Sequence, residues 1–322
     1  MAEKKWGQKE QGEGIGSLLG GRNIMFLGAG VIAFGIFTGI LIMLLFGSVE
    51  LPFQDCVAVV NVDGEISSSG SPATLFDEGS PSSSDIADTI KSLDDRNDVK
   101  AVVIRVNSPG GGVLASKEIY NAVNGLNKTK VAYLYEMAAS GGYYVALGSD
   151  YIVAEPDTLT GSIGVITMTM DITGLMEKIG VNVSTIKSAQ HKDFLEPMKE
   201  ADPEEVAIMQ EIINETYQDF VGVLKESRGS RISGSNITML TDGRIFSGKQ
   251  ALKYGLVDQL GSKDDAIKKA ADMAGMEYGK EPKVCNIKYT SGSSSGIFSE
   301  ISKSVATIMS ANQISQTGLY MK

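Results

Sequence analysis

The chain has 322 residues, enough for one large folded domain or two small ones. Its 43% hydrophobic and 21% charged residues fit a protein with a sizeable core, and a net charge of −10 argues against nucleic acid as a partner. A single histidine, His191, and two cysteines, Cys56 and Cys285, leave too few ligands for a Cys/His zinc site, and their number favours two buried thiols over a disulfide framework, although the two can pair.

In chain order, residues 1–23 are polar and glycine-rich and read as a cytoplasmic tail. Ile24 to Val49 follow without a charge over 26 residues. As a helix they would reach roughly 39 Å, more than the roughly 30 Å apolar core of a bilayer. "GSVELPFQDC" after the span has no small-x-small cleavage site, so the segment reads as an uncleaved transmembrane anchor over 24–49. Lys4, Lys5, Lys9 and Arg22 precede it, and Glu50 and Asp55 follow it. The positive-inside rule then puts the N-terminus in the cytoplasm and residues 50–280 outside.

That exported part alternates strand and helix. "CVAVVNVDGEI" reads as a strand and turn, and Asp85 to Asp94 as a helix with Ile86, Ile90 and Leu93 on one face. "VKAVVIRV" is a buried strand that empties into a glycine loop, "NSPGGG". A helix from about Val113 to Leu126 follows, then the strand "KVAYLY", a helix from Gly141 to Leu147, and the strand "DYIVAEP". A helix near Ile172 to Ile179 precedes a strand, "NVSTIKS", and Pro203 to Ser227 is a long helix with Pro203 in its first turn. "DGRIFSGKQALKYGLVDQLG" reads as a turn, a short helix and a strand-like end; residues 281–322 read as a C-terminal strand and tail. The alternation predicts an α/β domain with a mostly parallel sheet.

Three stretches carry candidate chemistry. In "MAASGGYYVA", Ser140 stands between alanines and glycines, which gives a substrate backbone room to approach its hydroxyl. The amides of "PGGG" can point into one space and hold an oxyanion; a phosphate is disfavoured because the Walker and Rossmann glycine spacings are absent. A serine nucleophile needs a base, and "SAQHKDF" offers His191 or Lys192, of which only one can face the serine in an extended segment. Lysine serves only when uncharged, which requires dry surroundings such as "TLTGSIGVI", where Ser162 could orient the amine.

"RVNSPGGGV", "MAASGGYYVA", "TLTGSIGVI" and "SAQHKDFLEPM", in that order, resemble the signal peptide peptidase A family of membrane-anchored serine proteases, and "DGRIFSGKQALKYGLVDQLG" is similar to that family's closing motif. The resemblance covers roughly Val57 to Gly261. It implies Ser140 as nucleophile, Lys192 as general base, Ser162 as the base's hydrogen-bond partner, Gly111 as an oxyanion donor and His191 as a bystander. It implies a Clp protease/crotonase-like spiral of ββα units preceded by one transmembrane helix, with no cofactor and no metal. It further implies peptide substrates such as remnant signal peptides, and a homo-oligomer in which neighbouring subunits share each dyad. A stomatin-operon-type Ser-Lys protease, a crotonase-type acyl-CoA enzyme on the same fold, and a non-catalytic membrane scaffold are the alternatives.

Overall fold

A computed structural model describes residues 34–35, 37–38, 55–71, 79–232, 237–285, 287 and 289. The chain divides into two units, Met1–Gln54 and Asp55–Lys322. In the first, Phe34, Gly35, Phe37 and Thr38 are helical, and the rest of the expected anchor lies outside the described residues. Among the described residues no helix is long and apolar enough to cross a membrane.

The second unit is a mixed α/β domain built on an eight-stranded sheet. Its strands are β1 (Cys56–Ile66), β2 (Val99–Gly111), β3 (Thr129–Ala139), β4 (Tyr151–Ala154), β5 (Leu159–Gly161), β6 (Ile245–Ser247), β7 (Gln259–Leu260) and β8 (Val284–Cys285). Its helices are α1 (Ser83–Ser92), α2 (Val113–Gly125), α3 (Gly141–Ala146), α4 (Thr173–Ile179), α5 (Pro203–Arg228), α6 (Ile237–Leu240), α7 (Gly248–Lys253) and α8 (Lys263–Met273). The sheet order is β6-β5-β3-β2-β1-β8, with β4 pairing β3 and β7. Every pairing is parallel except that of β5 with β6.

Successive side chains of β2 point to opposite faces, and both faces are covered. Val102, Ile104 and Val106 join the cluster formed with α1, α2 and α3. Ala101 and Val103 meet Ala266, Ile267, Ala270 and Ala271 of α8. A run apolar on both faces is therefore the signature of a central strand, and β2 is one.

β3 is divided along its length. Its first half pairs β4 (Val131↔Tyr151 to Leu134↔Ala154), and its second half pairs β5 (Met137↔Leu159 to Ala139↔Gly161). Between the halves the register against β2 slips, from Val106↔Leu134 to Ser108↔Ala138. Such a bulge bends the strand. The Asn107 side chain accepts from the Met137 N–H at 3.2 Å and so satisfies an amide in the slipped stretch. The bend aims the end of β3, and the serine after it, toward the glycines that end β2.

Three expectations are corrected. "PGGG" is not a loop: Gly110 and Gly111 are the last rungs of β2 and pair with Glu65 and Ile66 of β1. A Cβ on Gly111 would lie 2.1 Å from the Ile66 carbonyl oxygen, so strand contact itself requires glycine there. "NVSTIKS" forms no strand among the described residues; it is exposed and without a ladder. The cysteines are not two free thiols: β8 pairs with β1 in parallel, which brings Cys56 and Cys285 to a Cα–Cα distance of 5.5 Å in a disulfide. The bond links residues 229 apart and ties β8 to the sheet, next to Tyr289, whose hydroxyl donates to the Asn61 carbonyl and accepts from its N–H. Closing so long a loop restricts the unfolded chain strongly, so Cys285→Ser is expected to lower unfolding free energy by about 2–5 kcal/mol, read by chemical denaturation. Reduction of the wild-type protein should reproduce the shift; an unmoved midpoint on reduction would contradict it.

Candidate active site

Ser140 follows the last residue of β3 and stands at the N-cap position of α3. Its φ is 52° and its ψ −121°, a conformation that non-glycine residues rarely adopt and that costs about 1–3 kcal/mol. Backbone bonds on both sides hold it there: its N–H donates to the Gly161 carbonyl at 2.8 Å, and its carbonyl accepts from the Tyr144 N–H at 2.9 Å. α3 is buried throughout, and the Tyr143 hydroxyl donates to the Leu256 carbonyl at 2.7 Å.

The small residues around Ser140 serve packing. A Cβ on Gly141 would lie 2.3 Å from Ser116 Oγ, and one on Gly142 would lie 2.8 Å from the Ser108 carbonyl. Gly110 presses on the same place, since its Cβ would fall 2.7 Å from the Gly141 nitrogen and 3.0 Å from Ser140 Cβ. The glycines therefore bring the end of β2 and the start of α3 into contact beside the hydroxyl.

Ser162 follows the last residue of β5, as Ser140 follows the last residue of β3, and Ala139↔Gly161 is a register pair. The two serines thus leave adjacent strand ends side by side. Both have positive φ, 51° at Ser162, and the Ser162 N–H is fixed by the Arg244 carbonyl at 2.8 Å.

A cleft opens at Ser140. Gly111, Ser116, Tyr144, Val165 and Phe220 are among its lining residues. The Tyr144 and Phe220 rings meet edge to face at 5.0 Å, so α5 closes the cleft against α3. Burial pushes the Tyr144 hydroxyl up to about 12, with help from Tyr120 and Asp219, so it stays protonated at neutral pH. Lys117 of α2 and Asp219 of α5 pair at 3.4 Å and also line the cleft.

Lys192 is not among the residues that line the cleft at Ser140. It is exposed, outside the cleft lining, on an arm between Val165 and Asp202. Its neighbours fold the arm's turn. Asp193 accepts from Lys187 at 2.7 Å and from Lys199 at 3.0 Å, and these two ammonium groups hold its carboxyl down to about 2. Glu205, almost wholly buried, accepts from Lys199 at 2.7 Å and from the Leu195 N–H at 3.0 Å, which keeps it below the usual carboxylate range. His191 lies beside Glu205 and Glu204, with Nδ1 3.5 Å from Glu205 and Nε2 3.8 Å from Glu204. Its position here is structural.

The sequence reading did not single out Ser116, Tyr144, Phe220 or Glu205. Tyr144 lies within "MAASGGYYVA" without an assigned role, and tertiary packing gives Ser116, Phe220 and Glu205 their places.

Comparison with known proteins adds identity. The model of peptidase family S49 matches residues 125–277, and that of Clp protease matches residues 78–155. A candidate protease of Methanocaldococcus jannaschii is 43% identical over 201 residues, 60% of this chain and 64% of that one. A candidate signal peptide peptidase of Enterococcus faecium is 36% identical over 231 residues, 69% of this chain and 66% of that one. A chloroplastic serine protease of Arabidopsis thaliana, named SPPA, is 34% identical over 262 residues, 78% of this chain and 37% of that one. The chain thus spans just under two thirds of the first two relatives. The S49 match takes in Ser140, Ser162 and Lys192, and the chain belongs to peptidase family S49.

Proposed function

We propose that the chain is a membrane-anchored serine endopeptidase in which Ser140 is the nucleophile and Lys192 of a neighbouring copy is the base. The observation that carries this reading is Ser140 itself, held in a strained backbone conformation at the mouth of a cleft, against the glycine end of β2. Strain of this kind concentrates at reactive residues.

Uncharged Lys192 takes the proton of the Ser140 hydroxyl, and the oxygen attacks a peptide carbonyl. The Gly111 N–H steadies the oxyanion. The protonated amine then gives its proton to the departing nitrogen, leaving an acyl-enzyme, and water activated by the same amine releases the acid. Ser162 accepts a hydrogen bond from the amine and orients it.

The arm supports a shared dyad. Lys192 is exposed in the single chain. Ile166, Met168, Met170 and Ile186 on the same arm are exposed as well. Laying that apolar surface on a second copy buries it and dries the amine in one step. The finer fold reading is a Clp protease/crotonase-like spiral of ββα units. The split pairing of β3 and the Clp protease match support it.

The catalytic domain lies on the extracytoplasmic side, behind the anchor at 24–49, a reading that the Cys56–Cys285 bond supports because disulfides persist in oxidising compartments. Substrates are apolar peptides at the membrane, remnant signal peptides among them; the Enterococcus faecium relative is named for that class. Treating the full chain in detergent micelles with a fluorophosphonate probe should modify Ser140, as read by peptide mass spectrometry, and should leave Ser140→Ala unmodified. An unlabelled Ser140 in the assembled protein would overturn the reading and favour an acyl-CoA enzyme or a scaffold.

A further inference from the structure

Among the described residues, three that are not glycine have positive φ: Ser140, Ser162 and Leu195. The first two are the proposed nucleophile and the proposed partner of its base. The third follows Lys192 by three residues and has a φ of 51°. Leucine does not take that conformation by itself, so a neighbouring group must hold it. Glu205, in the first turn of α5, is that group: its Oε2 accepts from the Leu195 N–H at 3.0 Å. Its Oε1 accepts from Lys199 Nζ at 2.7 Å and lies 3.5 Å from His191 Nδ1. Glu205 is 1% exposed, and these three neighbours all belong to the turn that carries Lys192. On the other side of Lys192, Gln190 Nε2 donates to Glu204 at 3.1 Å. Both flanks of Lys192 are thus tied to the start of α5. Its own ammonium is exposed and has no hydrogen bond or ion pair among the described residues.

We infer that Glu205 is a positioning residue for the base: it holds Leu195 in its strained conformation and so fixes the backbone that presents Lys192. The inference rests on the proteolytic reading of Ser140 and Lys192. α5 is a firm anchor, because Phe220, Leu224 and Arg228 bury its far end in the domain. Helix capping does not account for Glu205, since Asp202 already caps α5 by accepting from the Glu204 N–H at 2.9 Å. A buried carboxylate is retained only where its bonds repay its lost hydration, and the bonds of Glu205 go to the lysine turn. A base displaced by about 1 Å loses on the order of 100-fold in rate, so the grip on this turn bears directly on turnover.

The test uses the full chain in detergent micelles with an apolar peptide substrate. Glu205→Gln keeps the size but sets an NH2 donor against either the Leu195 N–H or the Lys199 ammonium. It should lower kcat roughly 30-fold and leave KM within about twofold. Adding Leu195→Gly should recover about tenfold of that loss, because glycine takes positive φ without being held. If Glu205 only stabilised the domain, the more flexible glycine would repair nothing. Wild-type kcat in Glu205→Gln overturns the inference, and so does a loss that Leu195→Gly leaves in place. Should Glu205→Gln fail to fold, Leu195→Val decides, since a branched Cβ makes positive φ costlier without touching the carboxylate. It should lower kcat about fivefold at an unmoved unfolding midpoint, and an undiminished kcat there overturns the inference. Fluorophosphonate labelling of Ser140 runs alongside. A wild-type protein that neither labels nor cleaves sinks the proteolytic reading and this inference with it, whereas wild-type cleavage with full turnover in Glu205→Gln sinks the inference alone.

Discussion

Lys192→Ala should lower peptide hydrolysis by about 10⁴-fold and leave the fold untouched. The loss is large because the proposed base is removed and neither the one histidine, which sits against Glu204 and Glu205, nor Tyr144, which stays protonated, replaces it. The fold survives because Lys192 is exposed, and exposed substitutions shift stability within about 0.5 kcal/mol. Lys192→Arg should be equally inactive, since a guanidinium does not lose its proton. Co-assembly separates a shared dyad from an internal one. Oligomers mixed from Ser140→Ala and Lys192→Ala chains pair an intact serine with an intact lysine across some interfaces. Activity should return to roughly a quarter of wild type in an equal mixture, by random placement around a closed ring. Silence of the mixture would mean that the dyad is not shared between copies. Normal turnover by Lys192→Ala alone would remove the lysine from the mechanism.

Alternating apolar segments announced the α/β domain, because a central parallel strand must be apolar on both faces, and β2 is. Ser140 stands out in the sequence because a single hydroxyl between alanines and glycines is unusual, and the structure gives those glycines a packing role: Gly141 and Gly142 make room for Ser116 and for the Ser108 carbonyl. The glycines of "PGGG" were read as loop residues, and they are strand residues pressed against Ile66. In both places local composition signals close backbone approach, and only the partner strand or helix decides what approaches. The disulfide was hidden for a related reason. β8 finds β1 across 229 residues, and no local pattern encodes a pairing of that range. α8 was legible but unread: Ser262 and Asp265 form a reciprocal cap, and the pattern Ser-x-x-Asp stands openly before an amphipathic run. "NVSTIKS" has strand composition and pairs with no strand among the described residues.

Arg228→Met should destabilise the domain by about 3–5 kcal/mol, far more than any exposed change on the same helix. Arg228 is 1% exposed at the last turn of α5. Its Nη1 and Nη2 donate to the two carboxylate oxygens of Asp258 at 2.8 and 2.9 Å, and its Nε and Nη2 donate to the Gly255 carbonyl at 3.0 and 2.9 Å. Asp258 in turn accepts from the Ile152 N–H at 2.8 Å, so the cluster ties the end of α5 to β4. Methionine fills the space but leaves a buried carboxylate and a carbonyl without their partner, which is why the loss exceeds that of a surface pair. Arg231 supplies the control. It contacts the same Asp258 at 2.9 Å but is itself 42% exposed, so Arg231→Ala should lose under about 1 kcal/mol. For a domain of this size Arg228→Met should lower Tm by roughly 10 °C. Function should fail before the fold does, because α5 carries Phe220 two turns earlier against Tyr144, and a loosened helix opens the wall of the cleft. A Tm and a KM both indistinguishable from wild type would show that the cluster does not hold α5 in place. Adding Asp258→Asn to Arg228→Met should recover part of the stability by removing the stranded charge, a recovery that a purely steric defect would not allow.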